Sequence, residues 1–354
     1  MKKFSAILCL ILAISLLSGC AGSPVIYYSD CTCPADSHVQ TPVTQPEETQ
    51  APVVSEGAVK TGLAIVTSAA DSAEGEAKFD VTVAAVNVDD NGVITACYID
   101  SIGASVKFGA DGVITSETAA VATKNELGDN YGMKAYGNAT YEWYEQAAAL
   151  ADYAVGKTVE ELRAGAVNES GKAADADLAT TATIYLGGYV AAIEKAAANA
   201  QHLGAQAGDE LKVAVLASLA DSKSADAENA GNAQLNVDVT AITMSGDVIT
   251  SCALDAVQAK IAFDAAGTIT SDVTASIQTK NELGEAYGMK AWAGAKYEWN
   301  EQAANFAAYV TGKTAAEVAG IAIDEATKPT DADLATSVTI SIGGFQALIA
   351  KAAQ

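Results

Sequence analysis

The 354-residue chain carries 44 Asp and Glu against 20 Lys and Arg, a formal net charge of −24. A surface this acidic repels phosphate backbones and anionic headgroups, which argues against nucleic acid as a partner and keeps the folded part apart from a membrane surface. Aromatic residues make up only 6% of the chain, so its cores are expected to be built mostly of Ala, Val, Ile and Leu.

At the N-terminus, Lys2 and Lys3 precede an almost unbroken apolar run from Phe4 to Leu17, and Leu17-Ser18-Gly19-Cys20 follows. Positive, apolar, then small is the order of a secretory signal, and the run is short for a transmembrane helix. Leu-Ser-Gly-Cys resembles the bacterial lipobox. The resemblance implies a signal peptide over residues 1–19, lipidation of Cys20 and attachment to the extracytoplasmic face of the cell membrane through acyl chains, at ~0.8 kcal/mol per buried methylene. The alternative is an ordinary signal peptide with an incidental cysteine. Residues 20–57 read as a disordered tether. They hold Pro24, Pro34, Pro42, Pro46 and Pro52, with Ser, Thr, Gln and Glu between them, a composition that cannot bury a core. Cys31 and Cys33 lie in this tether without His or further Cys at ligand spacing, so a metal site is not expected there.

The rest reads as an internal duplication, with domains at 58–203 and 204–354. Thr123-Lys-Asn-Glu-Leu-Gly128 recurs as Thr279-Lys-Asn-Glu-Leu-Gly284, an offset of 156 that also maps Trp143 to Trp299 and Gln146 to Gln302. Cys97 maps to Cys252 at 155, so one residue is inserted between these landmarks. Both cysteines fall in strand-like runs and read as small apolar residues. Each copy is near the commonest domain size and can bury its own core.

In chain order, Phe79 to Val88 alternates like a half-buried strand. Asp89-Asp-Asn-Gly92 is a turn and Val93 to Ile99 a second strand. A further hairpin is expected where Val106 to Phe108 and Val113 to Thr115 flank Ala110-Asp-Gly112. Tyr141 to Val155 places Trp143, Ala147, Leu150 and Ala154 on one helical face, and Gly156 ends that helix. Thr158-Val-Glu-Glu161 has the spacing of a capping box. Thr181 to Leu186 reads as a strand, Gly187-Gly188 as a turn and Tyr189 to Ala198 as a helix. The expected class is α+β, with antiparallel hairpins and packed helices in both copies.

The Gly-Gly–helix element carries the chemistry. Glycines admit close approach to the backbone, and a helix N-terminus offers unpaired N–H groups to a phosphate. The same element recurs at Gly343 and Gly344. Asp177-Leu-Ala-Thr180-Thr-Ala-Thr183 and Asp333-Leu-Ala-Thr336-Ser-Val-Thr339 precede these elements. The segments resemble the Asp-x-x-Ser/Thr-Gly-Ala-Thr motif of the FMN-binding domain family, found in sodium-pumping NADH–quinone reductase and in flavinylated surface lipoproteins. In that family the last threonine is esterified to the FMN phosphate by a flavin transferase. The resemblance therefore implies FMN on Thr183 and Thr339, with Gly187, Gly188, Gly343 and Gly344 at the phosphate and Asp177 and Asp333 in the recognition sequence. The family's glycine is Thr181 in one copy and Ser337 in the other. Asp177 and Asp333 could also cap or orient the motif strand.

Tyr141, Trp143, Tyr297 and Trp299 could stack on a flavin ring, though helical spacing makes them core candidates. Lys124 and Lys280 read as solvated loop charges. His38 lies in the tether and His202 between the copies, so neither a catalytic triad nor a zinc site is indicated. Walker and Rossmann glycine patterns are absent. The expected function is electron transfer at the cell surface, with a membrane electron donor. A ligand-binding or scaffold lipoprotein that has lost flavin is the alternative.

Overall fold

The structure is a computed structural model that describes residues 57–354. The signal segment, Cys20, Cys31, Cys33, His38 and all of the tether before Gly57 lie outside the described residues.

Strands β1 (Lys60–Ser68), β2 (Glu76–Val88) and β3 (Ile94–Lys107) form an antiparallel meander. Then come β4 (Ala120–Val121), α1 (Lys124–Leu127), a 3-10 turn over Gly128–Tyr131, α2 (Met133–Gly137), α3 (Trp143–Ala154), α4 (Val159–Ala166), α5 (Ala176–Thr181) and α6 (Gly187–Ala198). The second copy runs through β5 (Glu210–Ser218), β6 (Gly231–Ser245), β7 (Val248–Phe263), α7 (Lys280–Leu283), α8 (Met289–Ala293), α9 (Trp299–Val310), α10 (Ala315–Ala319) and α11 (Gly343–Ala352). The class is α+β. β1 has no clean alternation to mark it in the sequence, and β3 extends well past Ile99. The expected second hairpin is present as a short one, with the Phe108–Ile114 bridge flanked by bonds from Gly109 N to Val113 O and from Thr115 N to Lys107 O.

The two sheets pack face to face, with helices outside. Phe79, Val81, Val83 and Ala85 of β2 point into a core shared with Leu235, Val237, Val239 and Ala241 of β6. Ala84, Val86 and Val88, on the opposite face of β2, join Trp143, Leu150, Leu162 and Ile193 in an outer core. Ile242 and Met244 of β6 do the same with Trp299, Phe306 and Ile349. Side-chain period two therefore buries both faces of the C-terminal part of each central strand, which explains the apolar runs there. The described residues form one compact unit, so the boundary at 203/204 divides two halves around one central core.

The halves are also exchanged at their edges. β4 of the first copy pairs with β5 of the second, and Ile277 of the second bridges to Thr67 of the first. Lys195 pairs with Glu282 at 2.6 Å, and Lys351 pairs with Glu126. Phe108 and Phe263 stack at 3.9 Å between ring centres, 2° from parallel. The edge strand β1 is covered by α6: Asn199 Nδ2 donates to Leu63 O and Lys195 Nζ to Ile65 O, both at 2.9 Å. Gly62 permits this approach, since a Cβ there would lie 2.0 Å from Ala196 O.

Candidate functional site

Glu142 caps α3, and its buried carboxylate also accepts from Met133 N at 2.8 Å and Lys134 N at 2.9 Å, tying α2 to α3. One turn later Gln146, wholly buried, donates from Nε2 to Tyr141 O at 3.0 Å. Its Oε1 accepts from Thr183 N at 2.7 Å, Thr183 Oγ1 at 3.1 Å and Ile184 N at 3.1 Å. Gln302 makes the same three bonds to Thr339 N, Thr339 Oγ1 and Ile340 N, at 2.8, 3.1 and 3.2 Å.

These bonds correct the expected motif strand. Thr181 ends α5, and Ala182 to Leu186 is a loop because its N–H groups go to Gln146 and to Gly171 O instead of a neighbouring strand. Gly187 and Gly188 are not a turn but the first residues of α6, and Gly343 and Gly344 open α11. The capping acids are Asp175 and Asp331, not Asp177 and Asp333. An N-cap oxygen reaches the N–H groups two and three residues ahead, and only the earlier acids are so placed. Asp177 and Asp333 are exposed, and their carbonyls accept from Thr180 and Thr336 hydroxyls at 2.7 Å.

Thr183 and Thr339 are both exposed, each four residues before the first residue of a helix that no side chain caps. In the first copy a Cβ at Gly187 or Gly188 would meet nothing within 4 Å. Lys172 Nζ donates to Thr183 O at 2.6 Å and lies 3.9 Å over the ring of Tyr185, itself 69% exposed. A phosphate group fits this open, cation-flanked threonine. The second copy is tighter. Thr327 stands in place of Gly171, holds a positive φ of 56° that glycine adopts more easily, and bonds the Ser341 hydroxyl. A Cβ at Gly343 would lie 3.2 Å from Thr327 Cβ, whereas one at Gly344 would meet nothing.

Trp143 and Trp299 are buried core residues, and Trp143 Nε1 donates to Tyr189 Oη at 3.0 Å. The main-chain oxygens of Tyr141 and Tyr297 accept from the two glutamines. Lys124 and Lys280 are not loose loop charges. They begin α1 and α7, with capping boxes at Thr123 and Thr279, and lie 5.2 and 4.9 Å over the rings of Trp143 and Trp299. The Thr-x-x-Glu spacing carried that signal. Likewise Glu142 and Gln146 were legible only as members of the repeated Glu-Trp-x-Glu-Gln string. Burial pushes the Cys97 and Cys252 thiols up to about 12, as befits inert packing residues.

Two further carboxyls are buried at matching places on β3 and β7. Asp100 Oδ1 accepts from Ser101 N at 2.7 Å and Asn125 N at 3.1 Å; Asp255 Oδ1 accepts from Ala256 N at 2.8 Å and Asn281 N at 3.1 Å. Burial raises both, Asp255 to about 6. The folded state thus holds the Asp255 proton more tightly than the unfolded chain. Its contribution to stability is present in acid and lost as pH rises from about 4 through about 6. Asp255→Asn keeps an oxygen for the two N–H donors and cannot ionise. We expect its stability relative to the native chain to rise by roughly 2–3 kcal/mol between pH 4 and 7 in urea titrations. A pH-independent difference would show that Asp255 ionises normally in the fold.

Among the described residues, no helix is long and apolar enough to cross a membrane. No family model matches the chain, and neither a curated protein nor a solved structure matches it.

Proposed function

We propose that this protein is a lipid-anchored electron carrier on the extracytoplasmic face of the membrane, holding FMN through phosphoester bonds to Thr183 and Thr339. The observation that carries the reading is the placement of each threonine. It is exposed, fixed by a buried glutamine, and close in sequence to a glycine-led helix start that no side chain caps. Such a start offers unpaired N–H groups to phosphate oxygens.

The flavin would supply the redox chemistry. The chain's own part is placement. Esterification would form an Oγ–P bond on Thr183 as the P–O–P anhydride of a flavin dinucleotide breaks on a flavin transferase, the nucleoside monophosphate leaving and the hydroxyl proton passing to solvent. One of the three hydrogen bonds to Gln146 would be lost, and the two backbone bonds would keep the loop in place. Lys172, bonded to Thr183 O, would hold a positive charge near the phosphoester. This matters on a chain of net charge −24, where a free phosphate dianion is repelled. A covalent bond removes the dependence on such attraction. A membrane donor would pass electrons to the tethered domains.

Intact-mass measurement on protein exported from cells with an active flavin transferase tests this. Acyl and FMN-sized increments are expected, with peptide mapping placing flavin at Thr183 in higher occupancy than at Thr339, because Thr327 crowds the second site. Thr183→Ala removes the first increment and Thr339→Ala the second. Colourless native protein with no flavin increment would sink the proposal.

A further inference from the structure

A cleft of about 760 Å³ opens between the halves, bounded by β1, the end of α6, β7, α7 and α9. That volume is in the range of small-molecule sites. The equivalent region of the first copy shows what is missing. There Tyr98 of β3 packs toward the central core, donates from its hydroxyl to Asp100 Oδ2 at 3.1 Å, and accepts from Asn125 Nδ2 at 3.1 Å. In the second copy Asp255 and Asn281 stand in the same relation to each other, but the residue in place of Tyr98 is Ala253. On the flanking helix, Tyr144 and Asp152 of α3 are replaced by Asn300 and Ala308 of α9. All five of these second-copy residues, Ala253, Asp255, Asn281, Asn300 and Ala308, line the cleft.

We propose that this cleft binds a small hydroxylated aromatic compound, its ring lying where Tyr98 lies in the first copy and its hydroxyl between Asp255 and Asn281. The walls suit it. Leu63, Ile65 and Leu254 supply apolar surface, while Lys195 and Glu282 pair with each other and leave no net charge from that pair. Two polar atoms in the lining, Asn300 Oδ1 and His202 Nδ1, are buried without a hydrogen-bond partner. A buried acceptor without a donor costs about 1–3 kcal/mol, so the occupant carries a second hydrogen-bond donor directed at Asn300 Oδ1. The ligand class is therefore a phenol with a polar substituent. The site is separate from Thr183 and Thr339, and its test does not depend on flavin.

The probe is p-cresol, the side chain of tyrosine as a free molecule, titrated into the full chain by calorimetry. Saturable binding at one site per chain is expected. The methyl ether, 4-methylanisole, cannot donate to Asp255, and about tenfold weaker binding is expected. Ala253→Tyr restores the first copy's side chain and is expected to abolish p-cresol binding with the circular dichroism spectrum unchanged. Should Ala253→Tyr not fold, Asp255→Asn serves instead, with about tenfold weaker p-cresol binding expected. No saturable binding to the native chain would overturn the proposal. So would equal affinity for the ether, or undiminished binding to a folded Ala253→Tyr or Asp255→Asn variant.

Discussion

Residues 57–203 expressed alone are expected not to persist as a folded monomer, but to dimerise through the exposed sheet face or aggregate. In the whole chain Leu63, Ile65, Phe79, Val81, Val83, Ile102, Val106 and Phe108 are buried in a core that the second half completes. Exposing an apolar side chain of this size costs roughly 1.5–3 kcal/mol. Eight together come to about 12–24 kcal/mol, as large as or larger than the ~5–15 kcal/mol that separates a native domain from its unfolded chain. Separation also removes the partner strand of β4, the Lys195–Glu282 and Lys351–Glu126 pairs and the Phe108–Phe263 stack. Size-exclusion chromatography and thermal circular dichroism check this. The 57–354 chain is expected to melt in one transition, and Phe263→Ala to lower its stability by about 3–5 kcal/mol. A monomeric half with a sharp melt of its own would show that the outer helix-and-sheet core suffices.

Gln146→Ala is expected to destabilise the protein by about 2–4 kcal/mol and to end flavin attachment at Thr183 while leaving Thr339 able to react. The substitution deletes one acceptor that serves two backbone N–H groups and a hydroxyl, and one donor to Tyr141 O. Each buried donor left unmatched costs on the order of 1–3 kcal/mol. Water reaches the exposed Thr183 and offsets part of the loss, which sets the upper bound. Without Gln146 the loop from Ala182 to Leu186 keeps its end bonds, Ala182 N to Leu178 O and Leu186 N to Gly171 O, and the bond from Lys172 Nζ to Thr183 O, but nothing in the protein takes up the Thr183 and Ile184 N–H groups. The threonine then samples many positions, and a transferase meets it in the reactive one less often. Gln302→Ala gives the mirror result. Urea titration measures the first effect and peptide mass mapping the second. An unchanged midpoint with full flavin occupancy would mean that the loop is held by other contacts.

The periodic features were legible because their causes are local. The β2 strand, the helical face through Trp143 and Leu150, and the Thr158 capping box each depend on neighbours a few residues away, and each stands in the structure, though the half-buried alternation of β2 holds only to Val83 and both faces are buried from there to Val88. Thr181–Leu186 has strand-like composition but is not a strand, and composition does not reveal the reason, a glutamine 37 residues before Thr183 that takes up the Thr183 and Ile184 N–H groups. β1 was missed for a related reason. Lys60–Ser68 lacks clean alternation because Ala64 faces one core while Leu63 and Ile65 face the other.

From the chain alone came the acidic character, the repeated strings, the hairpin and helix pattern, and which threonines could take a phosphate. Tertiary structure alone decided that the two halves share a core and pair across their edges, that Gln146 and Gln302 anchor the threonines, and that a cleft opens where the second copy has Ala253 in place of Tyr98. Hydrophobic period and capping act over one or two turns of chain and so are written in local order. The pairing of sheet faces and the volume left by an absent ring depend on residues about 150 positions apart, brought together only when the chain folds.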